Sequence, residues 1–264
     1  MQFSEYMKKA SLVGAFFVSV VCSLSVQAFC PAPERLSQVA VAQVIDGDTL
    51  RLTDGRSVRL IGLNTPELGR KGRAAEPLAD AARSHLQQLV KASDGRLGLR
   101  MGREARDRYG RVLAHAYDAQ GNNLEAALLA QGLGFFVAVA PNTELVDCHR
   151  TAEAQARQQH RGLWKRPPLL RQAREIRAGG FALVEGRVER VERNRGGLWI
   201  ELDGPLVLHV PLRDVAAFAA LQASLRGARI EARGWVVDRG SRTRRDQARW
   251  LMRLSHPAAL DVRR

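Results

Sequence analysis

The sequence predicts a mainly β protein with helices (α+β), in which a small closed five-stranded barrel with three helices is followed by a second, smaller OB-like β-barrel. Three observations lead there. Short stretches that alternate apolar and polar residues are separated by turn signals, first at Asp46-Gly47 and Asp54-Gly55. Stretches with helical periodicity fall between and after these strands and end near Gly132 and Gly162. Beyond Lys165-Arg166-Pro167-Pro168 and Gly179-Gly180, a new set of strand-like stretches contains one helical stretch between its third and fourth members, which is OB-fold order.

In chain order, Val39 to Ile45, Thr49 to Thr53 and Ser57 to Leu63 read as three antiparallel strands. Ala74 to Val90 reads as a helix, Arg96 to Met101 and Arg111 to Tyr117 as two more strands, and Leu124 to Gln131 and Glu144 to Gln159 as helices. Residues 167–180 read as a linker between a domain at 29–166 and one at 181–264. In the second domain, strands are expected at Phe181 to Arg193, Leu198 to Leu202, Leu206 to Val210, Ala228 to Val237 and Arg249 to Leu254, with a helix at Val215 to Leu225. Gly186 sits inside the long first strand, where a small barrel needs a bend.

Composition narrows the function classes. The chain has 264 residues, 45% of them hydrophobic, and a formal charge of +14, which excludes disorder throughout and points to a polyanionic partner. The cationic excess is almost entirely arginine, whose planar fork matches phosphate. Lys8 and Lys9, an apolar run from Ala10 to Val26, and small residues ending at Ala28 read as a secretory signal peptide over residues 1–28, an uncleaved anchor being the alternative. The expected location is therefore periplasmic or secreted, with no stable membrane association after cleavage and no protein partner. Cleavage leaves Cys30 and Cys148 in an oxidising space, where a disulfide is the natural reading and two unpaired thiols the alternative. The six histidines form no metal-ligand pair at helical spacing and no triad.

The residues that carry chemistry are Asp46-Gly47-Asp48-Thr49, Arg59, Asn64-Thr65-Pro66-Glu67 and Asp107-Arg108-Tyr109-Gly110-Arg111. They supply oxygen ligands for a hard cation, one carboxylate and two guanidiniums, which are the parts needed to hydrolyse a phosphodiester. From Val39 to Trp164 the order and wording of these motifs resemble the staphylococcal nuclease (thermonuclease) family. That resemblance implies an OB-type barrel with three helices and a calcium-dependent nuclease that leaves 3′-phosphate ends. It implies metal-binding roles for the Asp48 side chain and the Thr65 carbonyl. Asn64 stands where the family has a third, aspartate ligand, so weaker calcium binding is expected. Arg59 and Arg111 match the phosphate-binding arginines, Glu67 the candidate general base, and Arg108 and Tyr109 the contacts to the nucleotide. The family's tyrosines near the base pocket are missing, and Phe135 or Phe136 are the candidates to replace them.

In the second domain, alternation places Trp199 and Trp235 outward. With Arg242, Arg244 and Arg245 in the loop between the last two strands, they are candidates for binding nucleic acid through stacking and phosphate contacts, or for packing on the linker or first domain. The expected partner is DNA, RNA or both. Two rival readings are a catalytically weak or inactive nucleic-acid-binding protein on the same fold, and a cationic envelope protein that binds anionic surfaces.

Overall fold

A computed structural model of the chain describes residues 30–33, 36–69, 72–165, 169–240 and 247–263. The signal-like segment and Arg242, Arg244 and Arg245 lie outside the described residues. None of the described helices is long and apolar enough to cross a membrane.

The first barrel comprises β1 (Ser37–Asp46), β2 (Thr49–Leu52), β3 (Ser57–Leu60), β5 (Arg96–Arg106) and β6 (Val112–Tyr117), closed in the order β1-β2-β3-β6-β5. All neighbours are antiparallel except β3 and β6, which run parallel. Helix α1 (Ala79–Ala92) precedes β5, and α2 (Leu124–Ala130) and α3 (Val146–Gln158) follow β6. Inward-facing Leu50, Leu52, Val58, Leu60, Leu97 and Val112 fill the core with Leu86 from α1 and Leu128 and Leu129 from α2. Each such side chain contributes about 1.5–3 kcal/mol when removed from water. Cys30 and Cys148 form a disulfide with Cα atoms 5.6 Å apart, tying the start of the described chain to α3.

Two local departures from the sequence reading shape the site. The stretch expected as one strand over Ser57 to Leu63 is divided, because Ile61 and Gly62 turn before the short β4 (Leu63–Asn64), which pairs with β7 (Phe135–Phe136). Gly62 has φ 82°, and a Cβ there would meet His149 Nδ1 at 2.2 Å, so only glycine fits. The first helix begins at Ala79 instead of Ala74. Pro77 disfavours helical backbone at Glu76, and Leu78, at the N-cap, is left-handed with φ 68°.

The second barrel is closed by β9 (Gly180–Asn194), β10 (Gly197–Leu202), β11 (Leu206–Pro211), β13 (Trp250–Arg253) and β12 (Arg229–Asp238), with β12 pairing back onto β9. β11 and β13 are parallel, so both barrels have the same strand order and the same single parallel pair. β9 pairs with β12 over residues 180–187 and with β10 over residues 188–194. Gly186 lies at that handover, where a Cβ would press on Ala173 and Asp203 at 2.9 Å. The expected helix is a 3-10 turn at Leu212–Phe218 that continues into α4 (Ala219–Leu225).

The expected linker is partly structured. β8 (Leu170–Gln172) runs parallel to β9, and the next turn buries Ala173 and Ile176 in the second core. A final strand, β14 (Leu260–Arg263), adds to β12. Both pieces are too short to show periodicity, and each is held by a barrel strand already in place.

The two barrels share a buried interface. Arg233 on β12 reaches across to Glu153 on α3, with Nη1 2.6 Å from Oε2, and Glu153 Oε1 accepts the Phe136 N–H at 2.8 Å. Arg157 donates both Nη groups to Glu231 at 3.0 Å, Arg263 also pairs with Glu231, and Arg150 pairs with Asp261. Burial alone would raise the Glu231 carboxyl, but Arg157, Arg263 and Arg233 outweigh it and hold it below the usual carboxylate range. Trp164, Phe135, Phe181 and Trp235 form a continuous aromatic series with centroid spacings of 5.8, 5.3 and 5.3 Å.

Candidate active site

The Asp46-Gly47-Asp48 turn between β1 and β2 brings two carboxylates together. Asp46 accepts the Asp48 N–H at 3.1 Å. Asp48 is buried; its Oδ2 accepts the Thr65 N–H at 2.9 Å and the Thr65 hydroxyl at 3.1 Å, and its Oδ1 accepts the Thr49 hydroxyl at 3.1 Å. Gly47 is needed because a Cβ would meet Ala82 and Thr65 at 2.7 Å. Burial and the charge of Asp48 push the Asp46 carboxyl up to about 6. Asp46 lines the cleft with Asp48, although the sequence alone assigned it no role of its own within the motif, since Asp-Gly by itself reads as a turn.

Arg59 on β3 closes this pocket from the other side. Its Nη1 lies 3.1 Å from Asp48 Oδ2 and donates to the carbonyls of Leu60 and Leu63 at 3.0 and 2.8 Å, while Nη2 is 3.4 Å from Asn64 Oδ1. The guanidinium thus braces the turn after β3 and couples the acidic pair to Asn64. Glu67 follows Thr65-Pro66 on the loop leading to α1. Its backbone is fixed at both ends by Glu76, through Glu67 N–H to Glu76 Oε2 and Glu76 N–H to the Glu67 carbonyl, each 2.9 Å. The Glu67 side chain is exposed to the cleft.

Arg111 enters on the β5–β6 hairpin. Asp107 Oδ1 accepts the backbone N–H of Tyr109 and Arg111 at 2.9 and 3.0 Å, and Oδ2 accepts Arg111 Nε–H at 2.7 Å. Burial would raise Asp107, yet these bonds hold it below the usual range. Arg111 is thereby oriented through Nε, and both Nη groups are left without a hydrogen-bond partner among the described residues. Asp107 is a positioning residue to which the sequence alone assigned no role; its signal was an aspartate four residues before an arginine across Gly110, whose φ is 78°. Tyr109 is 69% exposed, so it is no core residue. Its hydroxyl receives Arg108 Nη2 at 2.6 Å, and the Arg108 and Arg111 guanidiniums lie 4.8 and 5.5 Å from its ring centre.

One cleft of about 1320 Å³ is lined by Asp46, Asp48, Arg59, Asn64, Glu67, Arg108, Tyr109 and Arg111. Thr65 is 2% exposed and stands behind it, holding Asp48. The expectation that Phe135 or Phe136 replaces the missing base-pocket tyrosines is corrected. Phe136 is fully buried in the first core and Phe135 packs between Trp164 and Phe181, because successive residues of β7 point to opposite faces and neither face opens on the cleft. The wall at that place is formed by residues 137–140.

The two tryptophans of the second barrel have different surroundings. Trp199 stacks on His209 with centroids 4.1 Å apart, donates to Asn194 Oδ1 at 3.1 Å and is covered by Arg239. Trp235 touches Phe181 on one edge, remains 42% exposed and lines the cleft.

Behind the cleft lies a buried polar network. Asn123 caps α2 by accepting the Ala126 N–H at 2.9 Å and also accepts from His149 Nε2, while Glu125 bonds Asn123, the Ala116 N–H and His115. Burial, with His115 nearby, drives the His149 imidazole down to about 3.

Comparison with known proteins places this geometry. Residues 57–166 match the family model described as staphylococcal nuclease homologue. The chain is 30% identical over 138 residues to Endonuclease YncB of Bacillus subtilis (strain 168), covering 50% of this chain and 64% of the relative. It has the same identity over the same length to the SPbeta prophage-derived endonuclease YokF of that organism, of which it covers 46%. The chain thus spans less than two thirds of the length of these two relatives. To the Thermonuclease of Staphylococcus intermedius it is 32% identical over 130 residues, 48% of this chain and 75% of the relative. A five-stranded barrel with the acidic turn, the two arginines and the glutamate on one cleft, matched over three quarters of a thermonuclease, makes this chain a member of the staphylococcal nuclease family.

Proposed function

We propose that the protein is an exported, calcium-dependent nuclease that hydrolyses phosphodiester bonds of DNA, RNA or both and leaves 3′-phosphate ends. The observation that carries this reading is convergence: the Glu67 carboxylate and the unpartnered Nη pair of Arg111 open onto the same cleft as the Asp46–Asp48 pair. The donor set fits a hard cation. Two carboxylates crowded enough to raise Asp46, beside the Asn64 amide oxygen, form an oxygen-only site that a divalent cation would neutralise. Asp46, Asp48, Asn64 and the Thr65 carbonyl are the groups that would hold it. Bound calcium supplies charge neutralisation at the phosphate.

The remaining work falls to the chain. The Arg111 fork takes two oxygens of the scissile phosphate and stabilises the more highly charged transition state over the ground state. Arg59, anchored through Nη1, sets the edge of the cation pocket and presents its remaining N–H groups to the same phosphate. Glu67 accepts a proton from water or orders it for attack on phosphorus. As the water oxygen bonds to phosphorus, the bond to the 5′ oxygen breaks, and that oxygen leaves with a proton from solvent. The ring of Tyr109 offers a face to a base.

Asn64 favours one second reading, a weak or inactive nucleic-acid-binding protein, because it removes a charge from the cation pocket. One assay separates the two. Purified mature protein is incubated with single- and double-stranded DNA and RNA, with calcium or with chelator. Calcium-dependent cleavage with 3′-phosphate products supports the nuclease; binding without cleavage overturns it.

A further inference from the structure

The active cleft has a second wall that the nuclease barrel does not supply. From the second barrel, Arg213, Arg233, Trp235, Val237, Leu251 and Arg253 line it. Strand alternation explains this, since Arg233, Trp235 and Val237 share the outward face of β12, and Leu251 and Arg253 that of the adjoining β13. The interface pairs of Arg233 with Glu153 and Arg157 with Glu231 hold this face against the nuclease barrel. Opposite it, the segment 137–140 is braced from both sides. Asn142 exchanges two hydrogen bonds with the backbone of Glu104, and the Ala140 N–H donates to Ser255 at 3.1 Å.

Two properties of this wall indicate its ligand. Its described lining residues include three arginines and no carboxylate. Arg233 is consumed by Glu153, but Arg253 is exposed with no side-chain partner among the described residues, and Arg213 is exposed with only a loose 3.6 Å contact to its neighbour Asp214. Apolar exposure is concentrated in the same place. Of seven large apolar side chains exposed among the described residues, Tyr109, Val139, Trp235 and Val237 all line this cleft. Unpaired cations interleaved with exposed rings are what a single polynucleotide strand requires, because every unpaired base has a stacking face and every linkage carries a charge.

We propose that the outward face of β12 and β13 binds the nucleotides flanking the scissile phosphate in a single-stranded substrate, with Trp235 stacking on a base and Arg213 and Arg253 contacting phosphates. This rests on the nuclease reading for its scissile phosphate but assigns the flanking subsite to the second barrel. It also separates Trp235 from Trp199, whose ring faces are taken by His209 and Arg239.

The test uses the full chain and two substrates, a dinucleotide and an oligodeoxythymidylate of about 12 nucleotides, a length within the range an OB fold covers. Arg213→Ala/Arg253→Ala should raise KM for the longer strand about tenfold, leaving kcat and all dinucleotide kinetics unchanged. Binding to the same strand is measured on a Glu67→Gln background. There the log–log salt slope should fall by about 1.4 for the two lost phosphate contacts. Strand binding should also quench tryptophan fluorescence, and Trp235→Phe, which keeps a ring against Phe181, should remove most of the quench. Unchanged KM and slope, or equal losses on both substrates, would overturn the proposal. If the parent cleaves nothing, the nuclease reading fails, and the binding arm on the Glu67→Gln background still decides the subsite.

Discussion

Arg233→Ala should weaken the protein more than any other single truncation at the domain interface. Arg233 is 6% exposed and its guanidinium is the only cation paired with Glu153 among the described residues, whose side chain is 4% exposed. Glu231 would keep Arg157 and Arg263, so the loss falls on Glu153, left buried with only the Phe136 N–H. Stranding one member of a buried ion pair costs about 3–5 kcal/mol. The assay is equilibrium urea unfolding followed by both tryptophan fluorescence and far-ultraviolet circular dichroism. Parent protein should unfold with coincident transitions, whereas Arg233→Ala should unfold at lower urea with the two signals separating, as the barrels lose their coupling. Arg233→Met/Glu153→Gln should recover most of the loss, since neither partner then leaves a buried charge unpaired. A single variant within about 1 kcal/mol of the parent, or a double variant no better than the single, refutes the reasoning that this pair locks the barrels.

Further outcomes are expected at the site and in the core. Glu67→Gln and Arg111→Ala should each lower hydrolysis by at least about a hundredfold with unchanged circular dichroism; near-parental rates in either would remove that residue from the mechanism. Asn64→Asp should bind calcium more tightly by calorimetry, because it restores a ligand charge, and no gain would mean that residue 64 does not touch the ion. His149, held neutral by burial down to about 3, should make the fold acid-sensitive. Its folded value lies below the unfolded 6.5, so its contribution is fully present above pH 6.5 and is lost as pH falls toward 3, by about 1.4 kcal/mol per unit. His149→Gln should flatten that dependence, and an identical acid slope in the variant counts against the assignment. Reducing the Cys30–Cys148 bond, which closes 118 residues of sequence separation, should cost up to about 4–5 kcal/mol in the chain-entropy account, read as a lower urea midpoint.

What the sequence by itself determined is the barrel order and the inventory of chemistry. Alternation and turn residues are local properties, so the strands around Asp46-Gly47 and Asp54-Gly55 could be read directly, and the helix between the third and fourth strands of the second unit revealed its topology. Cys30 and Cys148 followed from counting. The roles of Asp48, Arg59, Glu67 and Arg111 were legible through the resemblance of their motifs to the staphylococcal nuclease family. Tertiary structure decided everything that depends on which distant groups meet. Asp46 became part of the acidic pair only when the turn was buried beside Asp48, and Asp107 became the holder of Arg111 only when Gly110 folded the hairpin back. Phe135 and Phe136 looked available for stacking until β7 set the first against Trp164 and Phe181 and buried the second in the first core. Trp199 and Trp235 share the same outward alternation, yet one is covered by its own barrel and the other opens on the cleft. Local pattern fixes which face of a strand a side chain occupies; only the packing of one barrel on the other decides what that face meets.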